Sequence, residues 1–172
     1  MTEAAHSTPC WRDLATPIGT IRIEVQELHL TSLSWPELTA SCATPQAPMG
    51  QGDTPEAVAL LDEAARQLEE YFAGRRRSFD LPLRSPGTPF QERVWRTLAE
   101  VPYGGTWSYQ QLARTAGLFR AVRAVAQAVA ANPLPILVPC HRIVRSDGHL
   151  GGYAGGRARK RWLLDLERHG AL

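Results

Sequence analysis

The sequence predicts two halves of different make, an α/β N-terminal half and a mainly α-helical C-terminal half holding a helix-turn-helix candidate. Three observations carry this. Near the start of the chain apolar residues alternate with polar ones at period two, the pattern of a half-buried strand. From Thr88 onward the recurring signal is a capping residue followed by apolar residues at helical spacing. The charge also changes sign: residues 1–83 carry 6 Arg against 12 Asp or Glu, a net of −6, and residues 84–172 carry 13 Lys or Arg against 5 acids, a net of +8.

Ile21, Ile23 and Val25 alternate with Thr20, Arg22 and Glu24 behind the turn signal Pro17-Ile18-Gly19, and Leu28 to Trp35 reads as a second strand. Ser41 to Asp53, rich in Pro, Gly, Ala and Thr, reads as a loop. Thr54 then caps a helix with Pro55 at its first position, an apolar stripe of Val58, Leu61, Ala65, Leu68 and Phe72, and a stop at Gly74. Arg75 to Pro86 connects the halves, with the boundary expected to divide the chain into domains 1–83 and 84–172. Thr88-Pro89-Phe90-Gln91 opens the next helix as a capping box, with Phe90, Val94 and Leu98 inward and Pro102 past its end. Ser108-Tyr109-Gln110-Gln111 is a second capping box, for a short helix closed by Gly117. A third helix, from about Arg120 to Ala131, is cut by Asn132-Pro133. Two short helices joined by a tight Gly-containing turn fit a helix-turn-helix, although any helix pair with a tight turn gives the same pattern.

On that third helix Val122, Val125 and Val129 gather on one face, with Arg123, Ala126, Gln127 and Ala130 on the other. A base-reading helix presents several long hydrogen-bonding side chains; this one presents two among methyl groups. It suits close approach to a DNA backbone with little sequence discrimination. An Ala-rich packing helix with one surface Arg has the same face.

Composition narrows the function classes. Hydrophobic residues make up 44% and charged residues 21%, as in ordinary soluble globular proteins. Met1 to Leu14 is polar and has no signal-peptide core, and no apolar run is long enough to span a membrane. Three cysteines, odd in number and far apart, do not make a disulfide framework, so a reducing cytoplasm is expected. The basic C-terminal half suits a polyanion partner, and equally a solvated face that offsets the acidic half.

Pro139-Cys140-His141-Arg142 is the chemical centre. A thiol is a useful nucleophile only as thiolate, and the nearby cations His141, Arg142 and Arg145 are expected to favour that form. A lone Cys behind the apolar run Leu134 to Val138 also describes an inert core residue. In the last helix Trp162, Leu163 and Leu166 form the inward stripe, and Glu167 lies on its edge. A carboxylate near a helix C-terminus opposes the helix dipole. It is there either to orient a histidine or because the helix end is frayed and solvated. Gly148 to Gly156 holds five glycines around Tyr153, which fits either close backbone approach to a flat ligand or a flexible loop.

Taken together, Ser108-Tyr109, Arg123-Ala124-Val125, Asn132-Pro133, Pro139-Cys140-His141-Arg142-Ile143, Gly152-Tyr153 and Lys160-Arg161-Trp162-Leu163-Leu164 resemble the O6-alkylguanine-DNA alkyltransferase family. The match is ordered from Phe90 to Glu167 and looser before residue 84. The resemblance implies a ribonuclease-H-like sheet in the N-terminal domain and a helix-turn-helix that enters the minor groove of double-stranded DNA. It implies transfer of an alkyl group from O6-alkylguanine, and from O4-alkylthymine, onto Cys140, once per molecule. His141 (through a water) and Glu167 would form the thiolate, Asn132 would brace the turn, and Tyr109 would help turn the nucleotide out. Arg123 would fill the vacated stack, with Ser108, Ala124 and Gln127 against the DNA. Pro135, Ile143, Tyr153 and Ala154 would form the base pocket, with main chain at Cys140 and Ile143 accepting from guanine and the residue 154 N–H donating to O6.

This chain departs from the family pattern in places. Residue 154 is Ala where some relatives have Ser, Ala126 stands where Gly is common, and Leu118-Phe119 lacks a proline. Cys10 and Cys42 have no partner set at zinc-ligand spacing, so neither metal nor cofactor is expected, and the protein is expected to act as a monomer. Three rivals fail on the residues. A non-catalytic damage sensor of this fold replaces the cysteine, commonly with Trp; a helix-turn-helix regulator needs more base-reading side chains and a dimer seam; a cysteine hydrolase needs an oxyanion site.

Overall fold

The computed structural model describes residues 9–38 and 54–170. The loop expected over Ser41 to Asp53, with Cys42, lies outside the described residues. Strands β1 (Cys10–Thr16), β2 (Gly19–Gln26) and β3 (His29–Ser34) form an antiparallel sheet in that order. The alternation of β2 buries Ile21, Ile23 and Val25, and Pro17-Ile18 makes the expected turn. β1 is absent from the sequence reading because its inward residues are not a clean apolar series. What commits it is pairing: Asp13 stands opposite Arg22 and accepts from its guanidinium at 2.7 and 2.9 Å.

Helix α1 (Pro55–Phe72) lies against β1 and β2. The Thr54 hydroxyl accepts from the Ala57 amide at 3.2 Å, satisfying one of the free donors at the helix start. Its buried face is Ala57, Leu61, Ala64, Ala65, Leu68, Tyr71 and Phe72, while Val58 is only half-buried. Past the helix, the Leu30 amide donates to Pro82 O at 2.8 Å and the Arg84 amide to Leu30 O at 2.9 Å, so the connecting segment runs beside β3.

In the second half α2 (Pro89–Leu98), α3 (Tyr109–Thr115) and α4 (Val122–Ala130) pack on one another, and α5 (Arg157–His169) closes the chain. At Thr88 both arms of the capping box form; at Ser108 only its bond from the Gln111 amide does, at 3.1 Å. Trp95 Nε1 donates to Ala128 O at 2.8 Å, pinning α2 to α4. The short strands β4 (Trp107–Ser108) and β5 (Ile143–Val144) pair in parallel and tie the start of α3 to the segment after Cys140.

The halves meet behind that segment. The Leu33 amide donates to Pro133 O at 2.8 Å, Trp35 meets Tyr153 edge-on at 5.7 Å, and Arg159 bridges Ile18 O, Gly155 O and Glu37. Tyr71, fully buried, donates its hydroxyl to Glu167 Oε1 at 2.7 Å. No helix among the described residues is long and apolar enough to cross a membrane.

Tyr71→Phe keeps the ring and removes this bond between halves, with an expected cost of about 1–3 kcal/mol. Thermal unfolding should show a fall of roughly 2–4 °C for each kcal/mol at this chain length. An unchanged melting temperature would assign Tyr71 to packing alone.

Candidate active site

Pro133 ends α4 and turns Asn132 inward. Its Nδ2 donates to Val138 O at 2.8 Å and its Oδ1 accepts from the Leu134 amide at 3.1 Å, closing a tight turn. Inside that turn Ile136 has φ +75°, a conformation β-branched residues rarely adopt, and the Asn132 bonds help hold it there. The turn delivers Pro139 and a single 3₁₀ turn, Cys140–Arg142. At three residues per turn, the side chains of Cys140, His141 and Arg142 leave in three directions.

Cys140 sits in the wall of a cavity of about 370 Å³, with Tyr109, Ala126, Val129, Ala130, Tyr153 and Ala154. Burial pushes its thiol up to about 11, against the Asn132 hydrogen bond, the Lys160 charge and the amides of Cys140 and His141. The expectation that His141, Arg142 and Arg145 together favour the thiolate is therefore corrected. Arg142 points the other way, giving Nε and Nη2 to the two Glu167 oxygens at 2.9 Å each and Nη1 to Val101 O at 2.6 Å. Arg145 is exposed, 3.5 Å from Asp147.

His141 is fully buried, and burial lowers its pKa, so the ring is neutral. Its Nε2 lies 2.8 Å from Glu167 Oε1, which assigns the ring proton to Nε2 and leaves Nδ1 as the basic nitrogen. Nδ1 is buried and has no hydrogen-bond partner among the described residues. Glu167 also accepts from Tyr71 and from the Gly104 amide at 3.1 Å. Burial alone would raise its pKa; the His141 and Arg142 contacts outweigh that and hold it at about 2. Gly104, at φ +72°, comes so close that a Cβ would stand 3.1 Å from Glu167 O.

Lys160, fully buried, donates to Ile143 O and, at 3.2 Å, to Gly152 O. Burial brings its pKa down to about 8, with Cys140 opposing. Tyr109 is raised by burial and by Cys140, which keeps its hydroxyl protonated as a donor.

Of the expected site residues, Tyr109, Cys140, Tyr153 and Ala154 line the cavity, with Asn132, His141 and Glu167 behind Cys140. Pro135 and Ile143, expected in the pocket, are buried away from its lining, Pro135 paired to Val138 and Ile143 in the core. Arg123 and Gln127 are exposed on α4, Ala124 is half-buried, and Ser108 caps α3. Sequence reasoning missed Tyr71, Gly104, the true partner of Arg142 and the role of Lys160. Lys160 did carry a signal: it is the one lysine beside 18 arginines.

Comparison with known proteins matches two family models to the chain. A family model described as the ribonuclease-like domain of 6-O-methylguanine DNA methyltransferase matches residues 11–85, and one for its DNA binding domain matches residues 89–169. The constitutive methylated-DNA–protein-cysteine methyltransferase of Bacillus subtilis is 41% identical over 162 residues, 89% of this chain and 92% of that protein. The Methanosarcina barkeri protein of the same name is 42% identical over 156 residues, 91% of this chain and 95% of that one. The crystal structure of Mycobacterium tuberculosis OGT in complex with DNA superposes with a TM-score of 0.80 at 39% identity, over 94% of each chain.

The pKa shifts set an acid limit on stability. Both His141 and Glu167 have folded pKa values below their unfolded ones, so the unfolded chain binds more protons in acid. Their contribution is complete above about pH 6.5 for His141 and about pH 4.3 for Glu167, and is lost as pH falls. For Glu167, whose folded value is about 2, it is worth about 3 kcal/mol at neutral pH. Melting temperature measured from pH 8 to pH 3 should decline accordingly. Glu167→Gln, less stable at pH 7, should lose less between pH 5 and pH 3; a parallel decline would place the acid sensitivity elsewhere.

Proposed function

On the premise that this chain belongs to the 6-O-methylguanine DNA methyltransferase family, we propose that Cys140 is the acceptor of its DNA-repair reaction. The reaction moves an alkyl group from DNA to a cysteine of the protein itself. The substrate is O6-alkylguanine, and secondarily O4-alkylthymine, in double-stranded DNA. The observation that carries the assignment is Cys140 in the cavity wall, backed by a buried, carboxylate-held histidine with a free Nδ1.

A stacked base hides its O6 substituent, so the nucleotide leaves the duplex and enters the cavity. The α3–α4 pair acts as the helix-turn-helix, with Arg123 in the vacated stack and Ser108, Ala124 and Gln127 at the strand; small side chains on α4 suit close groove contact. Main chain at Cys140, in the cavity wall, accepts from guanine. The residue 154 amide donates to O6.

His141 Nδ1 takes the thiol proton through a water, and Glu167 stabilises the imidazolium. The sulfur then bonds to the alkyl carbon as the carbon–O6 bond breaks. The departing electron pair goes to the guanine ring, which takes a proton from the Tyr109 hydroxyl. Tyr109 is reprotonated from the site, so over the whole step the thiol proton ends on guanine. The thioether has no hydrolytic exit, and the protein stops after one turnover. The N-terminal half is read as a ribonuclease-H-like domain ending at residue 83, and the protein as a cytoplasmic monomer.

With O6-methylguanine duplex in excess, product should rise to one alkyl group per protein and stop, with the added mass on the tryptic peptide containing Cys140. Cys140→Ser should abolish transfer and change duplex affinity by less than about twofold, since the hydroxyl is a far weaker nucleophile of similar size. Turnover beyond one equivalent, or label on the Ser variant, would overturn the assignment.

Arg123→Ala should slow repair of duplex by about tenfold or more and leave alkylation by free O6-benzylguanine within about twofold, because a free base needs no extrusion. Equal losses on both substrates would make Arg123 structural.

A further inference from the structure

Beyond the Cys140 cavity lies a second one of about 450 Å³ whose lining includes Arg145, His149, Gly151, Arg157, Ala158 and Arg161. We propose that it is a phosphate site for the DNA strand flanking the extruded nucleotide, an extension that rests on the DNA-repair reading above.

Two of the cations there, Arg157 and Arg161, lack internal partners. Arg157 and Arg161 are exposed and make no hydrogen bond or ion pair among the described residues. Of the nearby acids, Asp147 is shared between Arg145 at 3.5 Å and His149 at 3.2 Å, and Asp165, one turn after Arg161, stands with it on a neighbouring wall without forming an ion pair among the described residues.

The position of these cations is also costly without an anion. The first turn of α5 contains no acid, its N-cap Gly156 offers no side-chain acceptor, and Arg157, Arg159, Lys160 and Arg161 crowd the end where the helix dipole is positive. Arg159 is paired with Glu37, and Lys160 gives its protons to carbonyl oxygens. For Arg157 and Arg161 the missing counter-charge comes from outside, and an anion at this end would also meet the free amides of the helix.

The cavity is in the right place for DNA. Gly151 lines it, while Gly152 lines the Cys140 cavity. A Cβ on Gly151 would lie 3.5 Å from the Tyr109 hydroxyl and 3.5 Å from the Arg145 side chain. The two cavities are therefore separated by about the thickness of one backbone. Phosphates of one strand recur about every 3.4 Å along the helix axis, so a nucleotide held beside Cys140 has flanking phosphates within reach of this wall. Arginine forks suit them, since a guanidinium grips phosphate oxygens in pairs. Such contacts fix position and strand direction and read no sequence.

The test compares the full chain with Arg157→Ala/Arg161→Ala, using Arg75→Ala/Arg77→Ala as a control of equal charge on the N-terminal half. Binding to an unmodified duplex is followed by fluorescence anisotropy across salt concentrations. The site variant should bind about tenfold or more weakly, and its plot of log affinity against log salt should be shallower by about 1–2, close to 0.9 per phosphate lost. Alkylation by free O6-benzylguanine, which has no phosphate, should stay within about twofold. A salt slope equal to that of the unmodified chain, or an equal loss in the control, would overturn the proposal; the first would favour an acidic protein surface as occupant. If the unsubstituted chain neither binds duplex nor alkylates Cys140, the repair reading itself fails, which that arm reveals by itself.

Discussion

The Glu167 carboxylate is removed from water on the last turn of α5, where the helix dipole opposes it, and the rest of the site is arranged around satisfying it. Tyr71 reaches it from α1, Gly104 from the loop before α3, and His141 and Arg142 from the 3₁₀ turn. Three separate stretches of chain are thereby held to one carboxylate carried by a fourth. The two halves are joined through this polar centre as well as through a shared apolar core. The Arg142 bonds let the carboxylate stay ionised in the interior, and an ionised Glu167 is what fixes the His141 ring.

Around this anchor, burial and reactivity pull against each other. A thiol at the surface would be easier to ionise, yet the cavity must exclude water if sulfur is to meet a carbon atom in preference to solvent. The structure resolves the conflict by keeping Cys140 protonated at rest and surrounding it with groups that favour the anion once it forms: Asn132, Lys160 and two backbone amides. Tyr109 stays a hydroxyl for the same reason that Cys140 stays a thiol, since both give up a proton only at the cost of a buried negative charge.

Much of this was legible in the sequence where a local rule applies. Thr54, Thr88 and Ser108 announce three helix starts, Asn132-Pro133 ends α4, and the Cys140-His141 pair with Glu167 on the edge of the α5 stripe is visible from periodicity. What was not legible depends on partners distant in the chain. β1 needs β2 to reveal its Asp13–Arg22 contact. Tyr71 hides within an ordinary core stripe, and its hydroxyl matters only because α5 lies opposite. Arg142 misled because adjacency on a 3₁₀ turn says nothing of shared direction: two residues from the thiol, it faces Glu167. Gly104 is explained only by the backbone oxygen it approaches.

Lys160 has a practical corollary. It is the chain's one lysine and it is fully buried, so the folded surface presents no side-chain amine. Amine-directed dyes, cross-linkers and activated supports would leave the cavity face and the arginine-rich flank untouched. Progressive acylation of Lys160 on warming would then report the opening of the core, in the manner of a hydrogen-exchange probe with a single site.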